Sequence, residues 1–218
     1  MPAGLTIRNN AGTVQIDENW RNFGFRQIIP VTITTTNANP PGNTVYNLTV
    51  SGQEVLVACR ATTICALPGK SYFDGSNWTF QWIFFTEFSG QTITETVEFF
   101  VFDLMNGTYS NVGLEIFNAA GQRVFHSDQG VMKVGSSASL PITTAFSGAP
   151  GRSYVPLIER NPVHGVNLGL PIGYRLASYA LRVSGSNIVP TFIQTSNGAS
   201  GEYATRGLYA AIDVTGLA

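Results

Sequence analysis

Residues 4–12 read GLTIRNNAG and residues 113–121 read GLEIFNAAG, identical at six of nine positions. Their offset of 109 residues is half the 218-residue chain. A repeat of this period constrains the fold before any single motif does, because each copy must be one structural unit. Weaker echoes follow in the same order. Pro41-Gly42 recurs as Pro150-Gly151, Gly75-Ser76-Asn77 as Gly185-Ser186-Asn187, and Pro30-Val31-Thr32 as Pro141-Ile142-Thr143. Asp103, closing an apolar run, is matched by Asp213. These collinear matches predict an internal duplication, with domains at 1–108 and 109–218 and a join in the polar stretch Asn106–Asn111.

The pattern inside each copy is that of strands. Tyr46–Val50 alternates, Ser51-Gly52 intervenes, and Gln53–Ala58 follows, which predicts a tight hairpin. Trp78–Phe85 (WTFQWIFF) reads as an aromatic strand buried on both faces near its end. Ile93, Val97, Phe99 and Val101 alternate with Thr94, Thr96, Glu98 and Phe100, giving one apolar and one largely polar face. Tyr174–Val183, Ile188–Thr195 and Gly207–Val214 read as further strands. The repeated segment itself predicts a hairpin. Leu114–Phe117 and Gln122–Phe125 are its arms, and Asn118–Gly121 is a turn with Gly121 at positive φ. Leu5–Arg8, Asn9–Gly12 and Thr13–Ile16 predict the same in the first copy. Helical periodicity with caps is missing, and prolines and glycines fall mostly between apolar runs. The expected fold is all-β: two tandem β-sandwich domains, jelly-roll or Ig-like. Long polar loops are expected at Thr34–Asn43, Phe146–Ser153 and Ser196–Glu202.

Composition narrows the function. The chain is 44% hydrophobic, enough for two cores, yet only 11% charged, against roughly 25% in ordinary soluble domains. Such a surface suits a protein packed into a larger assembly or working outside a cell. The net charge is -1 and Lys70 and Lys133 are the only lysines, so no nucleic-acid partner is expected. No apolar run is long enough for a membrane span. The start MPAGLTIRNN lacks a secretory signal and reads as a native beginning. Cys59 and Cys65 would either close a small loop or, the favoured reading, remain buried thiols. Two cysteines without a nearby histidine do not fill a tetrahedral metal site, and no cofactor is expected.

Catalytic constellations are weak. His126 lies in Phe125-His126-Ser127-Asp128, but neighbouring strand residues point to opposite faces, so a triad is not expected. His164 lies in a loop-like context, and both histidines read as surface or turn residues. Asp17, Glu18, Glu54, Asp74, Glu87, Glu95, Glu98 and Asp103 are scattered without a distinguished carboxylate pair. The chain is therefore not expected to be an enzyme. Carbohydrate binding by exposed aromatics competes with a core role for Trp20, Phe23, Phe25, Tyr72, Phe73 and Trp78. Tyr72, Phe73 and Trp78, beside the turn at Asp74-Gly75, are the candidate ligand-binding residues.

GLEIFNAAGQRVFHSD resembles a recurring opening segment of small tail proteins of long-tailed bacteriophages. Gly113, Leu114, Ile116, Asn118, Gly121, Val124, Phe125 and Asp128 carry the likeness. Gly4, Leu5, Ile7, Asn9, Gly12, Ile16 and Asp17 carry it more loosely. The likeness covers about 16 residues in each half. It implies a minor tail or baseplate structural protein located in the virion tail, released by lysis. Its partners would be other tail proteins, fibres or a host receptor, and its state a homo-oligomer, a trimer by preference. The doubled motif departs from the usual single copy. A receptor- or glycan-binding module is the alternative, and a polysaccharide-degrading enzyme a further one.

Overall fold

The computed structural model describes residues 6–8, 14–17, 22–36, 44–86, 90–104, 112–135, 140–141, 143–160, 164–167, 174–198 and 207–217. Every regular element among them is a β-strand. The first half holds β1 (Thr6–Arg8), β2 (Val14–Asp17), β3 (Phe23–Thr36), β4 (Thr44–Ser51), β5 (Leu56–Arg60), β6 (Cys65–Phe73), β7 (Asn77–Phe85) and β8 (Thr92–Leu104). The second half holds β9 (Glu115–Phe117), β10 (Arg123–His126), β11 (Lys133–Val134), β12 (Leu140–Pro141), β13 (Tyr154–Arg160), β14 (His164–Asn167), β15 (Tyr174–Ser184), β16 (Asn187–Gly198) and β17 (Leu208–Asp213). The all-β class expected from the period-two runs is what the chain adopts. No helix is long and apolar enough to cross a membrane among these residues, a fact that does not bear on β-barrels.

Two sheets enclose the first core. One is three-stranded, in the order β3-β8-β5, and the other carries β4, β7 and β6 side by side. Val97, Phe99 and Val101 of β8 and Val57 and Cys59 of β5 face Leu48, Val50, Trp82 and Phe84. Alternation then sends Ala58, Phe100 and Phe102 to the other face, where Val155 of β13 and Ala210 and Ile212 of β17 cover them. The three-stranded sheet is thus sandwiched on both sides. Glu98 is half-buried, but every residue of β8 from Phe99 to Leu104 is buried. The polar face expected for this strand ends at that point, because a second sheet lies there.

The second half also extends the first half's sheet. β15 pairs with β6 through Leu181 and Ala66, so the sheet runs β14-β15-β6-β7-β4, with β16 on β15. The Val183 N–H donates to Ala61 O at 2.7 Å. Tyr154, Tyr209 and Ala211 pack against Leu181 and Ile188 in a third core. Strand pairing and core packing therefore both cross the 108/109 boundary, while the join itself, residues 105–111, lies outside the described residues. The pairings β1·β2, β3·β8 and β6·β7 recur 109–111 residues on as β9·β10, β12·β17 and β15·β16. The strands between do not follow suit. β4 joins β7 and β5 joins β8, whereas β13 joins β17 and β14 joins β15.

One expected hairpin is corrected. β4 and β5 do not pair, and Ser51-Gly52 carries the chain from one sheet to the other. Both runs must bury an apolar face in the same core, and an arch across the sandwich does this where a hairpin would lay them in one plane. The arch is held by Asp103, whose Oδ1 accepts the Glu54 N–H at 3.1 Å and whose Oδ2 lies 3.6 Å from Arg26 Nη1. Arg26 also donates to Ser51 O. Gly52 takes φ +154° with Val55, Asp103 and Arg26 against its Cα, leaving no room for a Cβ. Gly52→Ala is expected to cost about 1–3 kcal/mol by overpacking and backbone strain. Urea unfolding checks this, and a loss under about 0.5 kcal/mol would contradict the close approach.

The turn of the second copy behaves as read. Asn118 Oδ1 accepts the N–H groups of Ala120 and Gln122 at 3.0 and 2.9 Å, and Gly121 has φ +74°. β9 and β10 flank it as antiparallel arms. β1 and β2 pair likewise, their connecting turn lying outside the described residues. The matched aspartates also share an arrangement. Asp213 Oδ2 accepts from Arg152 at 2.7 Å and Oδ1 from the Thr215 N–H at 3.0 Å. Partial burial pushes the Asp213 carboxyl up, but Thr215 and Arg152 outweigh it and hold the group below its ordinary value.

Candidate functional site

The run Trp78-Thr79-Phe80-Gln81-Trp82 places three aromatic side chains on one face of β7, since residues two apart share a face. That face looks into the sandwich. A cleft of about 450 Å³ remains. Val55, Leu56 and Val57 form one wall, Trp78, Phe80 and Trp82 another, and Leu157 and Ile158 of β13 a third. Ser71, Lys70 and Glu159 add hydroxyl, ammonium and carboxylate groups. The volume lies in the range of small-molecule sites, which combine apolar walls with a few polar groups.

The aromatic row continues onto the surface. The Trp78 and Phe80 rings stack with centroids 6.2 Å apart, and Phe73 tilts against Trp78 at 5.1 Å. Trp78 is fixed by its indole N–H, which donates to Gln53 O at 3.3 Å. Deeper in, Trp82 packs 5.5 Å from Phe99. Its Nε1 is buried without a hydrogen-bond partner among the described residues. A buried donor left unpaired costs on the order of 1–3 kcal/mol. The bulge between Pro68 and Ser71 shapes the rim. At Gly69 a Cβ would run into the Gln81 side chain, so the glycine leaves that amide its space.

The hairpin tip is a preorganised turn. Asp74 Oδ1 accepts the Ser76 and Asn77 N–H groups at 2.8 and 2.7 Å, and Gly75 takes φ +100°. Those N–H bonds, Asn77's first, hold the Asp74 carboxyl below its ordinary value.

The structure divides the three residues singled out by sequence. Phe73 and Trp78 meet at the mouth of the cleft. Tyr72 is 59% exposed and pairs with Thr79, so alternation turns it to the opposite face. The WTFQW alternation marks Phe80 and Trp82 as sharing the face of Trp78, and both line the cleft. Nothing local in the sequence points to Leu157, Ile158 and Glu159, which arrive from the other half of the chain. Phe23 and Phe25 pack against the second core, while Trp20 lies outside the described residues.

His126 is corrected: it is 1% exposed, not a surface residue. Its Nε2 lies 3.4 Å from Glu115 Oε1, and its Nδ1 accepts the Asp128 N–H at 3.0 Å. Gly113 packs beside Ser127 Oγ, His126 Cε1 and Asp128 Oδ1, so these three groups do converge. Residues 127 and 128 belong to a turn, where strand alternation does not apply. A hydrolytic triad needs Nδ1 to donate to a carboxylate and Nε2 to face the serine. Here Nδ1 accepts, Nε2 faces Glu115, and Ser127 Oγ accepts the Leu114 N–H at 3.0 Å. The cluster is wired as a brace for the hairpin base. His164 lies in strand β14, not in a loop.

Glu95 has a similar bracing role. Its carboxylate accepts from the Thr62 N–H and hydroxyl and from the Thr63 and Ile64 N–H groups at 2.5–2.9 Å, closing the loop after β5. Cys59 and Cys65 are buried thiols not joined in a disulfide, on strands of different sheets. Burial, with Glu95 adding to it, pushes the Cys59 thiol well above its usual value, which makes it a poor nucleophile. No group of three metal-ligating side chains occurs among the described residues. The chain matches no family model, no curated protein and no solved structure.

Proposed function

We propose that this chain is a structural protein of a bacteriophage tail tip or baseplate that works by binding neighbouring subunits. One observation carries the proposal. The β9–β10 hairpin, whose sequence resembles the tail segment, displays Val112, Leu114 and Phe117 at 80, 49 and 48% exposure. The same hairpin is rigidly held. Ile116 and Val124 are buried beneath it, Glu115 pairs with Arg123 at 2.8 Å, and Asn22 Nδ2 donates to Val124 O at 3.0 Å. A fixed hairpin with exposed apolar side chains is suited to docking, and burial of such side chains against a partner contributes about 1.5–3 kcal/mol each. The proposal includes homotrimeric assembly and attachment of fibres or receptor-binding components. It also includes the duplication, as two fused sandwich halves sharing one core and offering similar surfaces.

Purified particles provide the test. Mass spectrometry of the virion is expected to find the chain, and its absence there would refute the proposal. Leu114→Asp together with Phe117→Asp should leave stability within about 0.5 kcal/mol per site, since both side chains are exposed. Incorporation into particles should be lost. A folded double variant that is incorporated normally would remove the hairpin from the interface.

A further inference from the structure

We propose that the cleft at Trp78, Phe80 and Trp82 is a binding site for a neutral carbohydrate, one or two hexose units of a surface polysaccharide. This inference does not rest on tail assembly, because the cleft and the docking hairpin are built from different strands.

Two observations select the ligand. First, the wall is aromatic. Trp78 and Phe80 lie nearly parallel, their planes 22° apart, and Phe73 extends the row to the surface. Such a platform matches the flat C–H face of a pyranose, whose other groups are hydroxyls. Second, the polar groups are mixed. Lys70 and Glu159 place one cation and one anion on the lining, and Ser71 supplies a hydroxyl that can both donate and accept. Opposite charges in one cleft do not select an ion, whereas a ligand with many hydroxyls can both donate and accept.

The cleft volume of about 450 Å³ accommodates a disaccharide at most, so longer polymers would bind through one end or a short internal segment. Shallow sugar sites of this kind bind in the millimolar range, on the order of -4 kcal/mol.

Intrinsic tryptophan fluorescence of the full chain is the readout, titrated with glucose, galactose, mannose, N-acetylglucosamine and their β-linked disaccharides to tens of millimolar. At least one should give a saturable spectral change. Trp78→Ala should weaken that binding about tenfold, the loss of one aromatic contact. Because Trp78→Ala removes a reporter and part of the packing, Ser71→Trp is the second variant. Ser71 is exposed on the lining, so a tryptophan there should fill the cleft, leave thermal unfolding unchanged and abolish the response, read by calorimetry. The proposal is overturned if no saccharide responds, if only sialylated or sulfated sugars do, or if a fluorescent fatty acid binds where sugars do not. Unaltered sugar affinity in a folded Ser71→Trp protein would overturn it as well.

Discussion

Phe99→Ala is expected to lower the unfolding free energy by about 3–5 kcal/mol, among the largest effects of any single truncation in this chain. The Phe99 side chain is fully buried at the centre of the first core. Tyr46 stacks on it at 5.8 Å and 16°, Trp82 tilts against it at 5.5 Å, and Phe84 meets it edge-on at 6.3 Å. Its strand cannot shift inward to close the gap, because Phe100 and Phe102 on the reverse face are locked into a second core. The cavity would therefore persist, and the cavity cost adds to the lost transfer energy. Urea denaturation should show a lower midpoint with an unchanged slope. A loss below about 1 kcal/mol would mean that the core relaxes in a way this packing forbids.

A chain ending at residue 108 is expected not to fold cooperatively. It would keep β1–β8 but lose the cover over Ala58, Phe100 and Phe102, all 0% exposed in the whole protein. It would also free the edge of β6 that β15 occupies. An uncovered aromatic sheet face and an open edge together promote association. The expected result is a broad, non-cooperative thermal transition with strong binding of a hydrophobic dye. A sharp transition and a monodisperse monomer would instead support independent sandwiches at 1–108 and 109–218. The first copy of the repeat would then be self-sufficient.

Particular residues show how far the sequence could be read. The hairpin at Asn118–Gly121 was fully legible, because its geometry comes from one asparagine side chain and one glycine φ within four residues. At Ser51-Gly52 equally local signals do not suffice. A glycine between alternating runs fits a hairpin and an inter-sheet arch equally well, and only Asp103, 51 residues away from Gly52, decides between them. His126 was misplaced because its burial depends on hairpin partners and on the turn that follows. Of the candidate site, Trp78 and Phe73 were visible as aromatics flanking a turn, and the rest of the wall was implicit in WTFQW. The third wall was not, since β13 reaches the cleft only through tertiary packing.

What the sequence determined by itself was the class of element and the face of each side chain. Alternation fixes which residues point together, and turn chemistry fixes where the chain reverses. Tertiary structure alone decided which strand lies beside which, and which sheet covers the second face of β8. The physical reason is that ladder hydrogen bonds are made by backbone groups common to all residues, so they carry no partner's address. Loop-closure entropy also rises only slowly with length, so a distant strand competes almost equally with a near one. The choice then falls to burial, which sends Phe100 and Phe102 to β13 and β17 and leaves Trp78 and Phe80 facing an open cleft.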